Sequence, residues 1–146
     1  MKIFAAITML ILVATVSAQN TGKNKKIEDA VLKVITDQAA AWNRGDLEGF
    51  MEGYWKSENL RFVSGNSIAK GWQAALDRYK KGYDTREKMG VLTFSELEVT
   101  VLDKKSAYVK GRFTLERKED KPTGLFTLIF RKIDGEWKVV HDHTST

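Results

Sequence analysis

The most informative part of the sequence is Gly135-Glu136-Trp137-Lys138-Val139-Val140-His141-Asp142-His143-Thr144-Ser145, which lies next to the C-terminal residue. Asp134 precedes it, and an Asp-Gly pair is the strongest two-residue signal for a β-hairpin, so we expect a strand with an antiparallel neighbour before it. In a regular strand, alternate residues share a face. Four side chains are therefore predicted to lie on the same face: Trp137, Val139, His141 and His143. The chain has two histidines. The side chains that titrate near neutral pH are therefore predicted to lie together.

Three further stretches of strand character precede this one. They cover about residues 91–102, 106–116 and 124–133. The connections between them are short, which predicts antiparallel neighbours in a four-stranded meander. A shorter strand at Leu60–Ser64 and a small return strand at Ile68-Ala69 are expected earlier in the chain.

Amphipathic patterns before the meander predict three helices. The first runs from about Lys25 to Arg44, and its apolar stripe is Ile27, Val31, Ile35, Ala39 and Trp42. Gly45 suits the left-handed position that ends a helix, and Asp46 is placed to cap a short second helix. A third helix is expected from about Trp72 to Tyr83. Helices first and a meander later indicate an α+β fold, with the helices on one face of a curved antiparallel sheet.

Both faces of the predicted sheet carry large apolar side chains. In the third strand of the meander they are Phe126, Leu128 and Phe130 on one face and Leu125 and Ile129 on the other. Apolar residues on both faces suggest burial on both, but three helices cover only one. We therefore expect the second face to pack against another copy of the chain, which makes the protein a homodimer.

The N-terminal residues predict export. A short positive segment, Met1-Lys2, is followed by an almost continuous apolar run to Val16 and by small residues that allow cleavage after Ala18. The predicted organisation is a signal peptide at residues 1–18, a flexible lead-in at residues 19–26 and one domain at residues 27–146. The protein is then secreted or periplasmic. A membrane anchor is the alternative, but the apolar run is short for a bilayer, so no membrane association is expected after cleavage.

The composition narrows the possible functions. The 146 residues include 24 Lys and Arg and 19 Asp and Glu, a net charge of +5 that falls to +4 without residues 1–18. The basic residues are scattered among acidic ones, which is typical of a solvated surface and not of a nucleic-acid interface. The absence of cysteine excludes disulfides and thiolate chemistry. No phosphate loop or nucleophile elbow is present, and we expect no cofactor.

Two segments carry a family resemblance. Ala41-Trp42-Asn43-Arg44-Gly45-Asp46-Leu47-Glu48-Gly49-Phe50 ends the first helix, and the second segment runs from Asp134 to Ser145. Together they resemble the nuclear transport factor 2-like, or SnoaL-like, superfamily of cystatin-like α+β cones. The chain is most similar to a branch of small exported proteins that are related to the association domain of calcium/calmodulin-dependent kinase II. The resemblance covers roughly Ile27 to Ser145.

The resemblance implies a long first helix across a strongly bent antiparallel sheet, a pocket between them, and dimers formed through the sheet. It does not choose a function, because the superfamily contains isomerases, cyclases, dehydratases, epoxide hydrolases and non-enzymatic association domains. Lys110 stands where kinase association domains have one pocket arginine, but Leu128 stands at the position of the other. The carboxylate base and Tyr–Asp oxyanion hole of the isomerases are not matched residue by residue.

One strand face provides the first candidate ligand site. If Tyr108, Lys110 and Arg112 line the cone, they suit a carboxylate-bearing ligand, and if they face outward they are ordinary solvated surface. Arg61 on the early strand is a weaker candidate of the same kind. The helix side of the pocket is expected to consist of aromatic and other large residues that also form the core: Trp42, Tyr54, Phe62, Trp72, Tyr79, Tyr83, Met89 and Phe94.

His141 and His143 are the second candidate site. They are interpreted either as structural residues or as an acid–base or ligand-contacting pair at the pocket mouth. A metal site normally needs a third protein ligand, which the sequence does not place, so no metal is expected. Asp142 points away from both histidines in a regular strand, and we expect it to form a salt bridge or a contact across the dimer.

The sequence therefore favours an exported domain that binds a small acidic or aromatic organic ligand, with no assignable reaction. The alternative is a cofactor-free isomerase, dehydratase or cyclase in which His141 or His143 carries the proton. A pure association domain ranks third, because little of the chain lies outside the domain to be brought together.

Overall fold

The computed structural model describes residues 3–145, with side chains described from Gly22 onward. The helices in this part of the chain are α1 (Ile3–Asn43), α2 (Leu47–Met51), α3 (Trp72–Gly82) and α4 (Arg86–Met89). The strands are β1 (Arg61–Ser64), β2 (Ser67–Lys70), β3 (Val91–Asp103), β4 (Ser106–Glu116), β5 (Thr123–Ile133) and β6 (Glu136–Thr144).

Helix α1 begins earlier than the sequence predicted, so residues 19–26, the expected flexible lead-in, are helical. No proline interrupts this stretch, and Lys25 Nζ lies 2.7 Å from Asp29 Oδ1 one turn later, a spacing that favours helix. The signal peptide at residues 1–18 lies outside the residues whose side chains are described, and it stays a prediction. Within residues 3–145, no helix combines the length and the apolar character needed to cross a bilayer.

The junction between α1 and α2 forms as the sequence predicts. Gly45 has a φ of 85°, the left-handed conformation that glycine adopts without a steric penalty. Asp46 Oδ1 accepts a hydrogen bond from the backbone N–H of Gly49 at 2.7 Å and so caps α2. The turn directs the apolar side of α2 into the core through Leu47, Phe50 and Met51.

The six strands form one sheet in the order β2-β1-β6-β5-β4-β3. Strands β3 to β6 are consecutive antiparallel neighbours, which confirms the predicted meander. Strand β1 pairs with β2 antiparallel and with β6 parallel. The last strand is therefore an interior strand with a neighbour on each side, and its residues lie near the middle of the sheet.

The helices cover one face of the curved sheet, which we call the inner face, and the opposite side is the outer face. Helix α1 packs against β3, where the Asn43 side chain bonds both backbone groups of Leu92. On β4 and β5 the inner residues are buried, including Val109, Leu115 and Phe130. The α+β cone with a curved sheet wrapped against the long first helix is thus confirmed. The two predicted early strands, β1 and β2, extend the sheet, and the short helix α4 was not predicted.

Strand β6 does not alternate regularly, and this corrects the predicted faces. Ile129 pairs with His141 whereas Phe130 pairs with Val139, so Val140 is an extra residue in a β-bulge. The partner of β6 changes at this point. Before the bulge, Val139 bonds the backbone of residues 53–55, and after it His141 pairs with β1. One extra residue exchanges the two faces for the remainder of the strand.

Candidate functional site

A cavity of about 330 Å³ lies between the helices and the inner face of the sheet. Its walls come from α1, α2 and α3 on one side and from β1, β3, β4, β5 and β6 on the other. Apolar lining residues are Trp42, Phe50, Phe62, Leu92, Phe94, Phe113, Leu115 and Phe126. More polar lining residues are Ser64, Arg78, Tyr79, Tyr83, Arg117 and Thr144, together with the backbone at Gly82.

The aromatic wall is held in fixed positions by its own contacts. The ring of Trp42 meets Tyr83 edge-to-face with 4.8 Å between ring centroids, and it meets Phe50 in the same way at 5.3 Å. Trp42 Nε1 donates a hydrogen bond to the carbonyl oxygen of Met89 at 3.2 Å. These contacts orient the indole without a ligand, so the cavity is formed in advance.

A buried carboxyl group, that of Asp142, lies behind the β6 side of the cavity and is only 3% exposed. The hydroxyl of Tyr54 donates a hydrogen bond to Oδ2 at 2.7 Å, and the hydroxyl of Thr144 donates one to Oδ1 at 2.7 Å. Thr144 is itself a lining residue. Asp142 therefore contacts the cavity wall from behind through Thr144.

Burial raises the pKa of Asp142 to about 6, because the charged carboxylate loses its hydration. The hydrogen bonds from Thr144 and Tyr54 and the charges of His143 and Arg78 oppose this effect and favour the ionised form. Burial, with the nearby carboxylate charge, also raises the pKa of Tyr54, which keeps that phenol a donor. The result is a carboxyl group that exchanges its proton near neutral pH beside two hydroxyl groups.

Two arginines bring positive charge to the cavity. The guanidinium of Arg78, from α3, lies 5.1 Å from the ring centroid of Phe62 and donates to the hydroxyl of Ser67 and to a backbone carbonyl. The guanidinium of Arg117, which follows β4, lies 5.8 Å from the ring centroid of Tyr83. Its Nη1 lies 3.5 Å from Asp120 Oδ2, at the limit of a hydrogen bond.

A family model for the SnoaL-like domain matches residues 31–146. The chain belongs to the SnoaL-like domain family. This agrees with the predicted superfamily, and the SnoaL-like domain begins within α1. A search of curated proteins gives no match.

Solved structures share the fold of this SnoaL-like domain. An NTF2-like protein of unknown function from Shewanella oneidensis is 41% identical, with a TM-score of 0.78 over 82% of this chain and 98% of that one. A provisionally assigned scytalone dehydratase from Novosphingobium aromaticivorans is 17% identical, with a TM-score of 0.70 over 85% and 86%. A provisionally assigned calcium/calmodulin-dependent kinase II association domain from Xanthomonas campestris is 18% identical, with a TM-score of 0.63 over 80% and 84%. The last two show the fold alone.

The structure corrects the predicted pocket role of the β4 cations. Tyr108, Lys110 and Arg112 lie on the outer face, because their β4 neighbours Val109 and Leu115 are the buried residues. Of the two orientations that the sequence left open, the outward one is present. Lys110 Nζ lies 2.7 Å from Glu98 Oε2, and Arg112 Nε lies 2.9 Å from Glu96 Oε1, so each cation is paired on the surface of the SnoaL-like domain.

The bulge also moves both histidines away from the cavity. His141 is half-buried and His143 is exposed, both on the outer face, so the predicted position at the pocket mouth is wrong. Arg61 pairs in register with His141 on that face and donates to the carbonyl oxygens of Glu58 and Leu60. The predicted contacts of Asp142 are corrected as well, since it is buried in hydrogen bonds within one chain.

The aromatic part of the prediction largely holds. The residues that line the cavity as expected are Trp42, Phe62, Tyr79, Tyr83 and Phe94. Tyr54 is buried and bonds Asp142, Met89 is buried in the core, and Trp72 lies in a separate surface groove. Among the residues that the structure describes, no cluster of three potential metal ligands exists.

The sequence reasoning assigned no cavity role to the polar lining residues Arg78, Arg117 and Thr144, or to Asp142 behind the wall. One signal was present in the sequence, because Val139 and Val140 place two β-branched apolar residues side by side where the pattern should alternate. A pair of this kind is compatible with a bulge. Arg78 directly precedes Tyr79 on α3, but it is not part of the apolar stripe of that helix, so the pattern did not predict a place for it in the cavity.

Proposed function

We propose that this SnoaL-like domain binds a small organic molecule in the cavity between its helices and its curved sheet. The observation that carries the proposal is the preformed cavity of about 330 Å³, which is within the usual range for ligand sites and has mostly aromatic walls. A few polar groups, among them Tyr79 and Thr144, interrupt these walls and can orient a ligand. A solid apolar core of the same fold would leave no such space.

Binding of neutral 1-naphthamide tests the proposal, because a bicyclic aromatic amide suits an aromatic cavity with a few polar groups. Calorimetry gives the affinity, and amide chemical shifts locate the site. Ser64 is a small lining residue on β1, so Ser64→Trp should fill the cavity and abolish binding. The matched control is Ser95→Trp, an exposed position on the outer face of β3, which should bind normally. Unchanged affinity in Ser64→Trp would refute binding in the cavity.

A second candidate function is proton transfer on the bound molecule, as in a cofactor-free isomerase, dehydratase or cyclase. The pKa of about 6 for Asp142 favours it, since a general base works best with a pKa near the working pH. Asp142, and not the outward-facing histidines, is then the base on the last strand, and it acts through Thr144, whose hydroxyl lines the cavity and gives its proton to Asp142 as it takes one from the bound molecule. Turnover that follows a pH profile with a limb near 6, lost in Asp142→Asn and retained in His143→Gln, is the expected result. Activity independent of Asp142 excludes this role.

Export and dimerisation are further parts of the proposal. On the outer face Leu125 is 51% exposed and Ile129 is 39% exposed, which is consistent with a surface that a second copy covers. Ile129→Glu should therefore shift the sedimentation coefficient from dimer to monomer. Ile68→Glu, at an exposed position on the edge strand β2, serves as the control. Mass spectrometry of exported protein that begins at Gln19 would support cleavage after Ala18.

A further inference from the structure

The charged side chains that line the cavity are all positive. Within the described part of the chain, two arginines and no carboxylate line it, and the remaining lining residues are apolar, hydroxyl-bearing or glycine. Asp142 is the nearest buried acid, but it lies behind the wall and is occupied by Tyr54 and Thr144. A ligand therefore meets cations and aromatic rings when it enters. A negatively charged ligand is favoured by such a potential.

Arg117 has a donor that the folded chain leaves unused. Its Nε is shielded from solvent and finds no hydrogen-bond acceptor among the described residues. Buried donors are nearly always paired, so the unpaired Nε shows that the hydrogen bonds of this guanidinium are incompletely satisfied within the folded chain. The Nη1 contact with Asp120 at 3.5 Å is long and lies on the exposed side. Nη2 makes no hydrogen bond among the described residues and is not shielded, so it is the donor available for a bound acceptor.

The two arginines stand at opposite ends of a row of aromatic rings. Arg78 covers Phe62, Phe62 lies 5.4 Å from Tyr79, Tyr79 lies 6.0 Å from Tyr83, and Arg117 covers Tyr83. Arg78 is at the end where its charge lowers the pKa of Asp142. An acid group at that end would approach a buried carboxylate, whereas the carboxylate that contacts Arg117, that of Asp120, is exposed, so water and salt screen its repulsion.

We propose that the ligand is an aromatic or similarly flat apolar carboxylate whose acid group accepts hydrogen bonds from Arg117. Its apolar body lies along the ring row, and Arg78 balances the charge of Asp142 at the other end. The guanidinium of Arg117 suits a carboxylate, because its unpaired Nη2 can donate a charge-assisted hydrogen bond. This inference rests on the proposed binding of a small molecule in the cavity.

The test compares 1-naphthoate with 1-naphthamide, which have nearly the same shape and differ in charge. Calorimetry at low salt should show naphthoate binding about tenfold more tightly or better, as expected for a hydrogen bond to a charged group. In Arg117→Met this preference should vanish while naphthamide binding persists, which shows that the cavity is intact. Arg131→Met removes an exposed arginine from the outer face and should retain the preference.

Arg78→Met separates the roles of the two arginines. It should retain most of the preference for naphthoate, but it should raise the pKa of Asp142, read from the carboxyl chemical shift. Equal affinity of the wild-type protein for both probes would overturn the inference and leave the proposed binding in place. Failure of both probes to bind would count against the proposed binding itself. The wild-type comparison stands even if Arg117→Met does not fold.

Discussion

Replacing Asp142 with Asn should remove most of the pH dependence of stability between pH 4 and pH 8. The folded protein binds the Asp142 proton more tightly than the unfolded chain does, because burial raises the pKa from 3.8 to about 6. Protonation therefore stabilises the fold. The stabilisation from protonated Asp142 is complete below about pH 4 and is lost as the pH rises through 6.

The size of the effect follows from the two pKa values. A shift of one pH unit corresponds to about 1.4 kcal/mol, so a rise from 3.8 to about 6 corresponds to about 3 kcal/mol in the free energy of unfolding. Asn has nearly the shape of Asp and cannot ionise. The free energy of unfolding of Asp142→Asn, minus that of the wild type, should therefore increase by about 3 kcal/mol from pH 4 to pH 8.

Urea unfolding at half-unit steps of pH, followed by tryptophan fluorescence, measures this difference. Asp46→Asn is the control, because the hydrogen bond from Gly49 N–H lowers the pKa of that carboxyl. A lowered pKa in the folded state gives a stabilisation that is complete above about pH 4 and changes with pH only below that value. The difference in the free energy of unfolding between Asp46→Asn and the wild type should thus be constant from pH 4 to pH 8. A constant difference for Asp142→Asn over the same range would refute the reasoning about the buried carboxyl.

Three other variants test separate contacts. Tyr54→Phe removes the 2.7 Å bond to Asp142, which should raise the pKa of that carboxyl further and move the pH midpoint of the stability curve upward in the same titration. Gly90→Ala should lower the free energy of unfolding by about 1–3 kcal/mol in urea, since φ is 61° and the new Cβ would lie 2.5 Å from the carbonyl oxygen of Glu116. Gly82→Ala, with open space around its Cβ, should not be destabilised. Trp42→Phe loses the bond to Met89 and should cost about 1 kcal/mol by thermal unfolding.

The fold was predictable because its signals are local. The stripe with Val31 and Ile35 determines which side of α1 is buried, and Gly45 with Asp46 determines where the helix ends. Short connections such as Asp134-Gly135 then require consecutive strands to pair as antiparallel neighbours, which gives the order of the last four strands. Each of these features depends on residues close together in the sequence.

The site was less predictable because it depends on contacts between distant segments. Val140 is extra because β6 changes its partner from residues 53–55 to β1, and the sequence of β6 alone does not contain that information. The side chain of Arg117 reaches the cavity from a turn, and its orphaned Nε is visible only in three dimensions. Tyr54 and Asp142 are 88 residues apart.

The bulge also explains why the cavity has its chemical character. In a regular β6, the inner face would present His141 and His143, and Asp142 would lie on the outer face with Lys110. The observed register instead buries a carboxyl between two hydroxyl groups and leaves the imidazoles outside. Hydrogen bonds from Thr144 and Tyr54 favour the ionised form of this acid, and the charges of His143 and of Arg78, on the helix side, add to them. The proposed contact of an anionic ligand with Arg117, and not with Arg78, therefore depends on the bulge at Val140, which places Asp142 at the Arg78 end of the cavity.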